Sequence, residues 1–547
     1  MAKISRYTKE QIKEYTQKGY WVDKTNADFW DYNAFHHADE EALADSRSRL
    51  TWSQAKLWTD RVATGLIALG FEKDAVVIVQ LPNSVELVLL RVACEKAGLV
   101  CLPVLPNYRH NELQRIIQYT GAEVCIILWH FKNFDYYQML LDISKASGLP
   151  KHIIVSGAEV PERALSLNSM SNSPVESKFP INYLENRKCK ADEFSLIFMT
   201  SGTTGEPKFA EQPIYSRVYS GKIFGLRSGD IAAILSPAAG GPNISAYFGA
   251  PQLALKTVLL ESFEAEAALR FMEKEKVTFI GIVPAQLSML ANHPSVEKFN
   301  LKLRVIVCTG APLPYAVGVL GESRLKAPVC QNYGSMDSGG VAMTEPEDSQ
   351  DVRLITAGRP IPGNEIKLLD DSGKDVTHTG IGEVLTRGPV SVSGYYKDPV
   401  TTGSLWDKDG WFRMGDLGKF DEKGNLVIVG RKKDMIIRGG QNIFPVEIEN
   451  MLLTNSKVSN AAVVAMPDPV MGEKACAYIV LKEGQTMDFE EMVSFLRGKK
   501  IAAYKLPERL EIIEALPMVA AGQKIDKKAL QKDVEQKLQR ESKINLV

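Results

Sequence analysis

The sequence predicts an α/β protein with a large N-terminal domain, made of two α/β subdomains and a small β-barrel, and a small α+β C-terminal domain. Three observations support this prediction. At 547 residues the chain is too long for a single hydrophobic core. Helix and strand patterns alternate over residues 50–160 and again over residues 190–335, which is typical of parallel sheets with right-handed crossovers. After residue 360 the pattern changes to short strands separated by glycine-rich turns.

The first subdomain is predicted from four consecutive segments. Amphipathic helices that end in glycine alternate with short apolar runs that contain or end in proline, as expected of helices and buried strands. The segments are LWTDRVATGLIALG (57–70), DAVVIVQLP (74–82), SVELVLLRVACEKAG (84–98) and LVCLPVLP (99–106). The second subdomain repeats this alternation in SLIFMTSG, AEAALRFMEKEK, VTFIGIVP and LRVIVCTG.

The small barrel and the C-terminal domain are predicted from the remaining patterns. EIKLLDDSGK, GEVLTRGP and GNLVIVGRKKD are short strands joined by turns, which favours an antiparallel barrel or sandwich. Alternation then returns in a compact unit. We expect residues 1–432 to form the N-terminal domain and residues 433–547 the C-terminal domain. The polar end, residues 532–547, is expected to fray.

Charge and composition argue against several classes of function. The net charge is -1, so bulk electrostatics favour neither a nucleic acid nor a membrane surface as partner. No apolar run reaches the roughly 18 residues that a transmembrane helix needs, and the polar start is unlike a secretory signal. The seven cysteines lack CxxC spacing. We therefore expect buried thiols in a reducing, cytoplasmic compartment, with a catalytic cysteine as the alternative.

The strongest local motif is Thr200-Ser201-Gly202-Thr203-Thr204-Gly205-Glu206-Pro207-Lys208, directly after an apolar strand. Small residues let backbone N–H groups approach phosphate oxygens, the hydroxyls add donors, and Lys208 adds a positive charge. The glycine spacing differs from that of a Walker A sequence. The alternative interpretation is a solvated loop without a ligand.

This motif and those that follow it resemble the adenylate-forming superfamily, which includes acyl-CoA and aryl-CoA ligases, adenylation domains and luciferases. The resemblance covers nearly the whole chain, since the motifs occur in the family's order. They are QNYGSMD (331–337), GRP (358–360), GYY (394–396), WFRMGDL (411–417), GRKKD (430–434), GGQNI (439–443) and GQK (522–524). The segments KGYWVDKT, GLIALGF, VVIVQLPNSVELV and RHNEL make the start of the chain particularly resemble aryl-acid ligases, such as the 2,3-dihydroxybenzoate-activating branch. The chain also weakly resembles cyclohexanecarboxylate-CoA ligases.

The resemblance implies a nucleotide site for ATP and Mg²⁺. Asp416 would accept the ribose hydroxyls, Arg431 would reach the ribose or the α-phosphate, and Tyr333 would stack on adenine. Asp337 would hold the metal, although the family has Glu here and Thr where this chain has Met336, so one α-phosphate contact is missing. Further nucleotide contacts fall on the phosphate loop from Thr200 to Gly205 and on Gly310, Ala311, Pro312, Asn332, Gly334 and Ser335. Without the resemblance, Asp416 could equally be a turn residue, Arg431 a surface residue and Tyr333 a core residue.

The resemblance also implies catalytic and mobile elements. Lys208 and Lys524 would be catalytic, Lys524 by bridging the attacking carboxylate and the α-phosphate. The family reads GK where this chain has GQK, which leaves Lys527, Lys528 or a purely solvated lysine as alternatives. The C-terminal domain would be mobile and pivot at Lys433. Gly439 and Gly440 would line the tunnel for coenzyme A, or form a plain hairpin turn.

The acid is the least determined part of the prediction. The resemblance places the acyl site at Gly240, Gly241, Asn243 and Ser335, with glycines where aryl-acid ligases have a His-Asn pair that reads a hydroxyl. Because a buried hydroxyl without a partner costs about 1–3 kcal/mol, we expect a cyclic acid without polar substituents. A medium-chain acid, an aryl acid loaded onto a separate carrier protein, and a non-catalytic nucleotide sensor are the alternatives. A homodimer is one possible assembly.

Overall fold

The computed structural model describes residues 6–180, 182–201, 207–237, 241–519 and 524–544. Strands and helices are numbered in chain order. The helices are α1 (Lys9–Gln17), α2 (Asn26–His36), α3 (Trp52–Ala68), α4 (Val85–Ala97), α5 (His110–Thr120), α6 (Tyr136–Ser147), α7 (Leu167–Asn172), α8 (Tyr183–Arg187), α9 (Ile214–Ile223), α10 (Ala265–Glu275), α11 (Pro284–Asn292), α12 (Tyr315–Leu325), α13 (Gln350–Ile355), α14 (Pro399–Leu405), α15 (Pro445–Leu452), α16 (Phe489–Gly498) and α17 (Lys527–Ile544).

Two large, mostly parallel sheets form the core of the N-terminal part. The first contains β1 (Glu41–Ala44), β2 (Arg49–Thr51), β12 (Ala232–Ile234), β13 (Thr257–Leu259), β14 (Phe279–Ile282), β15 (Val305–Thr309), β16 (Val329–Ser335), β17 (Gly339–Met343) and β18 (Arg359–Pro360), in the order β18-β17-β16-β15-β14-β12-β13-β1-β2. The second contains β3 (Val76–Gln80), β4 (Val100–Pro103), β5 (Val124–Leu128), β8 (His152–Ser156), β9 (Leu165–Ser166), β10 (Phe194–Ser201) and β11 (Pro207–Pro213), in the order β11-β10-β4-β3-β5-β8-β9. A short hairpin, β6 (His130–Phe131) and β7 (Phe134–Asp135), lies apart from both sheets.

A single apolar core joins the two large sheets. Helices α3 and α4 supply about a third of its buried residues, and α4 is buried at almost every position. Trp30 and Trp52 meet there edge to face, with ring centroids 4.9 Å apart. The predicted helix that ends at Gly98 is confirmed, since Gly98 closes α4 in the left-handed conformation. Helix α3 starts five residues before the predicted one, at Trp52, because Thr51 and Gln54 form a capping box.

The predicted small barrel corresponds to four antiparallel strands, β19 (Glu365–Leu369), β20 (Gly382–Arg387), β21 (Phe412–Phe420) and β22 (Leu426–Arg431). Among the residues that the structure describes these strands form an open ladder, and closure into a barrel stays a prediction. The ladder is tied to the first large sheet through a bridge between Gly358 and Leu426.

The C-terminal part is a smaller α+β unit. Its main sheet has the order β24-β23-β26-β25, with β27 added beside β26. The strands are β23 (Ile436–Arg438), β24 (Gln441–Ile443), β25 (Val458–Asp468), β26 (Gly472–Leu481) and β27 (Arg509–Ile512), followed by the hairpin β28 (Met518–Val519) and β29 (Lys524–Ile525). The structure thus confirms the fold class of a large N-terminal α/β part and a small C-terminal α+β part. The division at residue 433 remains an expectation.

Two further predictions concern the cysteines and the end of the chain. All seven cysteines are buried and free. The polar end, which we expected to fray, instead continues as α17 to Ile544, because Leu530 and Val534 are buried against the sheet. In the described part of the chain, no helix combines the length and the apolar character needed to cross a membrane.

Candidate active site

The phosphate-loop motif lies in the turn between two paired strands. β10 and β11 are antiparallel, with Thr200 opposite Lys208 and Ser201 opposite Pro207. Gly202, Thr203, Thr204 and Gly205 lie outside the described residues, as does the side chain of Ser201. The register fixes the backbone at both ends of the loop, which places the partly buried Lys208 beside it.

Lys208 faces a tyrosine and a carboxyl group from distant parts of the chain. Backbone pairing of Ala210 with Tyr395 brings the GYY motif alongside β11. The Lys208 ammonium lies 5.1 Å from the centroid of the Tyr395 ring. Burial raises the pKa of Asp337 to about 6, while the neighbouring Tyr395 and the charge of Lys208 partly oppose that rise. No role for Tyr395 was predicted, although its GYY motif was recognised.

Asp337 is held in a tight turn between β16 and β17. The Ser335 hydroxyl oxygen accepts hydrogen bonds from the backbone N–H of Asp337 at 3.2 Å and of Ser338 at 3.0 Å. The Asp337 carbonyl accepts from Val392 N–H at 3.1 Å and from the Ser391 hydroxyl at 3.0 Å. Its carboxylate Oδ1 is buried and has no hydrogen-bond partner among the described residues. An oxygen of this kind fits Mg²⁺, which proteins commonly bind through one or two carboxylates plus substrate phosphates and water.

Tyr333, Asp416 and Arg431 form a second cluster. The Tyr333 hydroxyl donates to Asp416 Oδ2 at 2.7 Å, and Arg431 forms an ion pair with Asp416, with Nε 2.8 Å from Oδ1. Asp416 and Arg431 are cross-strand partners on β21 and β22, whereas Tyr333 comes from β16 of the first large sheet. Burial, together with the Asp416 charge, raises the pKa of Tyr333 well above its usual value. The cluster thus offers a carboxylate acceptor that is only 5% exposed.

The remaining predicted nucleotide residues lie at the carboxyl ends of β15 and β16. Gly310, Ala311 and Pro312 come directly after β15, and the Thr309 hydroxyl donates to the Asn332 carbonyl at 2.8 Å. The Asn332 side-chain Nδ2 is buried and has no hydrogen-bond partner among the described residues. Because carboxyl ends of parallel strands lie at one edge of a sheet, these residues share an edge, and Gly334 and Ser335 complete β16 there.

The predicted acyl segment is only partly described. Gly240 lies outside the described residues, and Gly241 begins a single 3₁₀ turn that ends at Asn243. The Asn243 amide is 1% exposed and donates to the carbonyls of Ser236 at 3.2 Å and Pro237 at 3.0 Å, so it holds this segment's backbone. The space beside Gly241 is bounded by Met336, whose Sδ lies 3.3 Å from the position of an added Cβ.

The predicted hinge and tunnel residues lie at the junction with the C-terminal part. Lys433 is exposed in the 3₁₀ turn Lys432–Asp434, and it is Lys432 that pairs with Asp371 at 3.0 Å and Glu383 at 3.3 Å. Gly439 and Gly440 have φ of +55° and +81° and form the two-residue turn between β23 and β24. Such a hairpin turn favours glycine for conformational reasons alone.

The predicted catalytic lysine begins β29. Lys524 pairs through its backbone with Val519 on β28, and its side chain lies outside the described residues. The alternative Lys527 has its ammonium 2.5 Å from Glu449 Oε1. That ion pair engages Lys527 in a local contact on the C-terminal part.

Comparison with known proteins identifies the family. A model of the AMP-binding enzyme family matches residues 30–396, and one of the AMP-binding enzyme C-terminal domain matches residues 447–523. The 2-hydroxy-7-methoxy-5-methyl-1-naphthoate–CoA ligase of Streptomyces carzinostaticus is 30% identical over 94% of each chain. The medium-chain fatty-acid–CoA ligase of Escherichia coli is 31% identical over 97% of this chain and 94% of its own. The 2,3-dihydroxybenzoate-AMP ligase of Bacillus subtilis is 29% identical over 97% of both.

A solved structure supports the fold independently. The amide bond synthetase McbA from Marinactinospora thermotolerans superimposes with a TM-score of 0.81 and 24% identity, over 93% of this chain and all of its own. The family model spans most of the N-terminal part, and the relatives match over nearly their full length. The chain therefore belongs to the AMP-binding enzyme family of the adenylate-forming superfamily, and it is an AMP-forming acid–thiol ligase.

Proposed function

We propose that this enzyme joins a cyclic, apolar carboxylic acid to coenzyme A in two steps, through an acyl-adenylate. The observation that carries the proposal is the pair of charged clusters just described. Asp416 offers a buried anionic acceptor suited to ribose hydroxyls, and Lys208 with Asp337 offers charges suited to a magnesium-bound triphosphate. A nucleotide that bridged the two clusters would have its α-phosphate between them.

In the first step, the residues of this chain would bind and orient rather than react. Tyr333 and Arg431 hold the Asp416 carboxylate in place, so that the ribose meets a fixed acceptor. Lys208 would neutralise phosphate charge, and Lys524 would approach the attacking carboxylate and the α-phosphate. Mg²⁺, when bound to Asp337, would offset the charge of the leaving pyrophosphate.

In the second step, a thiol would attack the adenylate and release AMP. We propose that residues 433–547 rotate as a domain about Lys433 between the steps, since Lys433 is exposed and free of ion pairs to described residues. The turn at Gly439 and Gly440 would then lie beside the path of the thiol, where the absence of side chains lets the backbone approach it closely. The acceptor is proposed to be free coenzyme A, with a separate carrier protein as the alternative.

The nature of the acid is inferred from the surroundings of Gly241. The neighbouring Met336 is apolar, and the Asn243 amide protons already bind backbone carbonyls. The Met336 thioether and the engaged Asn243 amide protons therefore offer no hydrogen-bond donor to a ring substituent, whereas Asn243 Oδ1 is a buried acceptor without a partner among the described residues. The apolar thioether supports an acid whose acyl part is largely apolar. The naphthoate and medium-chain relatives support both ring and chain acids, and the ring is preferred because Gly241 adds no side chain of its own.

An acid panel tests the proposal. Cyclohexanecarboxylate, benzoate, octanoate and 2,3-dihydroxybenzoate are each supplied with ATP and Mg²⁺, first alone and then with coenzyme A or a phosphopantetheinylated carrier protein. Pyrophosphate release reports the first step, and mass spectrometry of the thioester reports the second. We expect a cyclic apolar acid and coenzyme A to give the highest kcat/KM. Thioester on the carrier alone would favour the carrier-loading alternative, and the absence of acid-dependent pyrophosphate release would contradict the ligase reaction.

A further inference from the structure

The turn between β16 and β17 directs two neighbouring side chains to different surroundings. Ser335 fixes the turn, because its hydroxyl oxygen accepts hydrogen bonds from the backbone N–H groups of Asp337 and Ser338. Asp337 lies with Lys208 and Tyr395 on the phosphate side. Met336 instead approaches Gly241, on the predicted acyl side. The turn thus separates the two halves of the proposed site.

Met336 is partly exposed and partly packed. It packs against the main apolar core, a cluster that also contains Ile244, Tyr247 and Phe248 of the segment that follows Gly241. A methionine side chain is unbranched and has three rotatable bonds, so it adapts to irregular space at low cost. Its thioether could therefore pack against the protein when the site is empty and against an acyl group when one is bound.

The Met336 thioether borders the space beside Gly241. The Gly241 backbone is outside the left-handed region, so an alanine there would not be strained by conformation. An added Cβ would, however, lie 3.3 Å from Met336 Sδ, closer than ordinary van der Waals contact. An alanine at position 241 would therefore push the Met336 side chain and restrict its movement.

We propose that Met336 is a specificity-determining residue, whose thioether forms a movable wall of the acyl site that depends on the absence of a side chain at Gly241. The proposal rests on the proposed function and deepens it, since it assigns one wall of the acyl site. It follows that the two positions act as a pair. Larger rings require the thioether to move aside, whereas small acids bind beside it undisturbed.

A double-mutant cycle tests the pair. The variants are Gly241→Ala, Met336→Ala and both together, and Gly403→Ala is the matched control, because that glycine has no atom within 4 Å of an added Cβ and a backbone outside the left-handed region. The kcat/KM for acid-dependent pyrophosphate release is measured with acetate, benzoate and 1-naphthoate. We expect Gly241→Ala to lower the kcat/KM for 1-naphthoate relative to the kcat/KM for acetate by roughly 10-fold or more. In the Met336→Ala background, the same substitution should have little effect on this ratio.

Three results would overturn the proposal. Independent effects of the two substitutions would show that Gly241 and Met336 do not act together. An unchanged acid preference in Met336→Ala, and also in the volume-conserving Met336→Leu, would remove Met336 from the acyl site even if one variant folds poorly. If the wild-type enzyme releases no pyrophosphate with any acid, the proposed function itself fails, and this outcome is distinct from the first two. The KM for ATP should stay within about twofold in all variants that fold, since Met336 is assigned to acid rather than nucleotide.

Discussion

Replacing Asp416 with asparagine should remove much of the enzyme's discrimination between ATP and 2′-deoxy-ATP. In the structure the Asp416 carboxylate is 5% exposed and is held by the Tyr333 hydroxyl at 2.7 Å and by Arg431 Nε at 2.8 Å. A hydrogen bond from a neutral donor to a charged acceptor contributes about 1.5–3 kcal/mol. Loss of the 2′-hydroxyl should therefore weaken nucleotide binding to the wild-type enzyme roughly 10- to 140-fold.

The asparagine variant keeps the shape of the side chain and loses its charge. A neutral hydrogen bond contributes only about 0.5–1.5 kcal/mol, so the ratio of the two dissociation constants should fall roughly fivefold to tenfold. Both nucleotides share the 3′-hydroxyl, so the ratio isolates the 2′ contact. Isothermal titration calorimetry measures both constants for the wild type, Asp416→Asn and Tyr333→Phe.

Tyr333→Phe serves as the control, because it removes a partner of the carboxylate and leaves the charge. This variant should keep most of the wild-type discrimination between ATP and 2′-deoxy-ATP, even if it binds both nucleotides more weakly. A wild-type ratio near one would refute the assignment of Asp416 to the ribose. So would an Asp416→Asn variant that binds both nucleotides more weakly but keeps the original ratio, since that pattern indicates a structural role in holding Arg431.

Three further predictions concern catalysis, motion and stability. Lys524→Ala should slow acid-dependent pyrophosphate release roughly 10²- to 10³-fold and spare thioester formation from supplied acyl-AMP, and equal loss of both steps would contradict this. Lys433→Pro, by fixing φ, should let the adenylate form and accumulate while thioester output collapses; a normal thioester rate would exclude the pivot. Hydrogen bonding to Arg49 and Lys256 lowers the pKa of Glu275 from 4.5 to about 2, so its contribution of up to about 3 kcal/mol is complete above pH 4.5 and disappears as the pH falls towards 2. The melting temperature of Glu275→Gln should thus lie below that of the wild type at pH 7, and the gap should close below pH 4.5.

Local sequence signals predicted the secondary structure of the N-terminal part well. The helix that ends at Gly98 and the strand that follows it were readable, because a glycine in the left-handed conformation ends the helix and a buried apolar run follows. The polar end was misjudged. Its composition indicates fraying, but Leu530 and Val534 pack on the C-terminal sheet, a contact that no local pattern contains.

The residues of the candidate site were largely predicted, but the contacts between them were not. Asp416 and Arg431 were recognised from separate motifs, but nothing in the sequence indicates that they are cross-strand partners or that Tyr333 donates to the same carboxylate. Tyr395 was seen only as part of a motif. Its place between Lys208 and Asp337 depends on the pairing of residue 395 with β11, which is a long-range contact.

The sequence by itself determined the family, the order of the motifs and the residue types available for chemistry, because short local patterns are enough to identify these. Only the tertiary structure decided which of those residues meet. Met336 is the clearest case. From the sequence alone, its difference from the family indicated only the loss of a hydroxyl group. In the folded chain it borders the space beside Gly241. Residues 241 and 336 come together because β14, β15 and β16 lie side by side in one sheet, and strand order is fixed by packing of the whole domain rather than by any single segment.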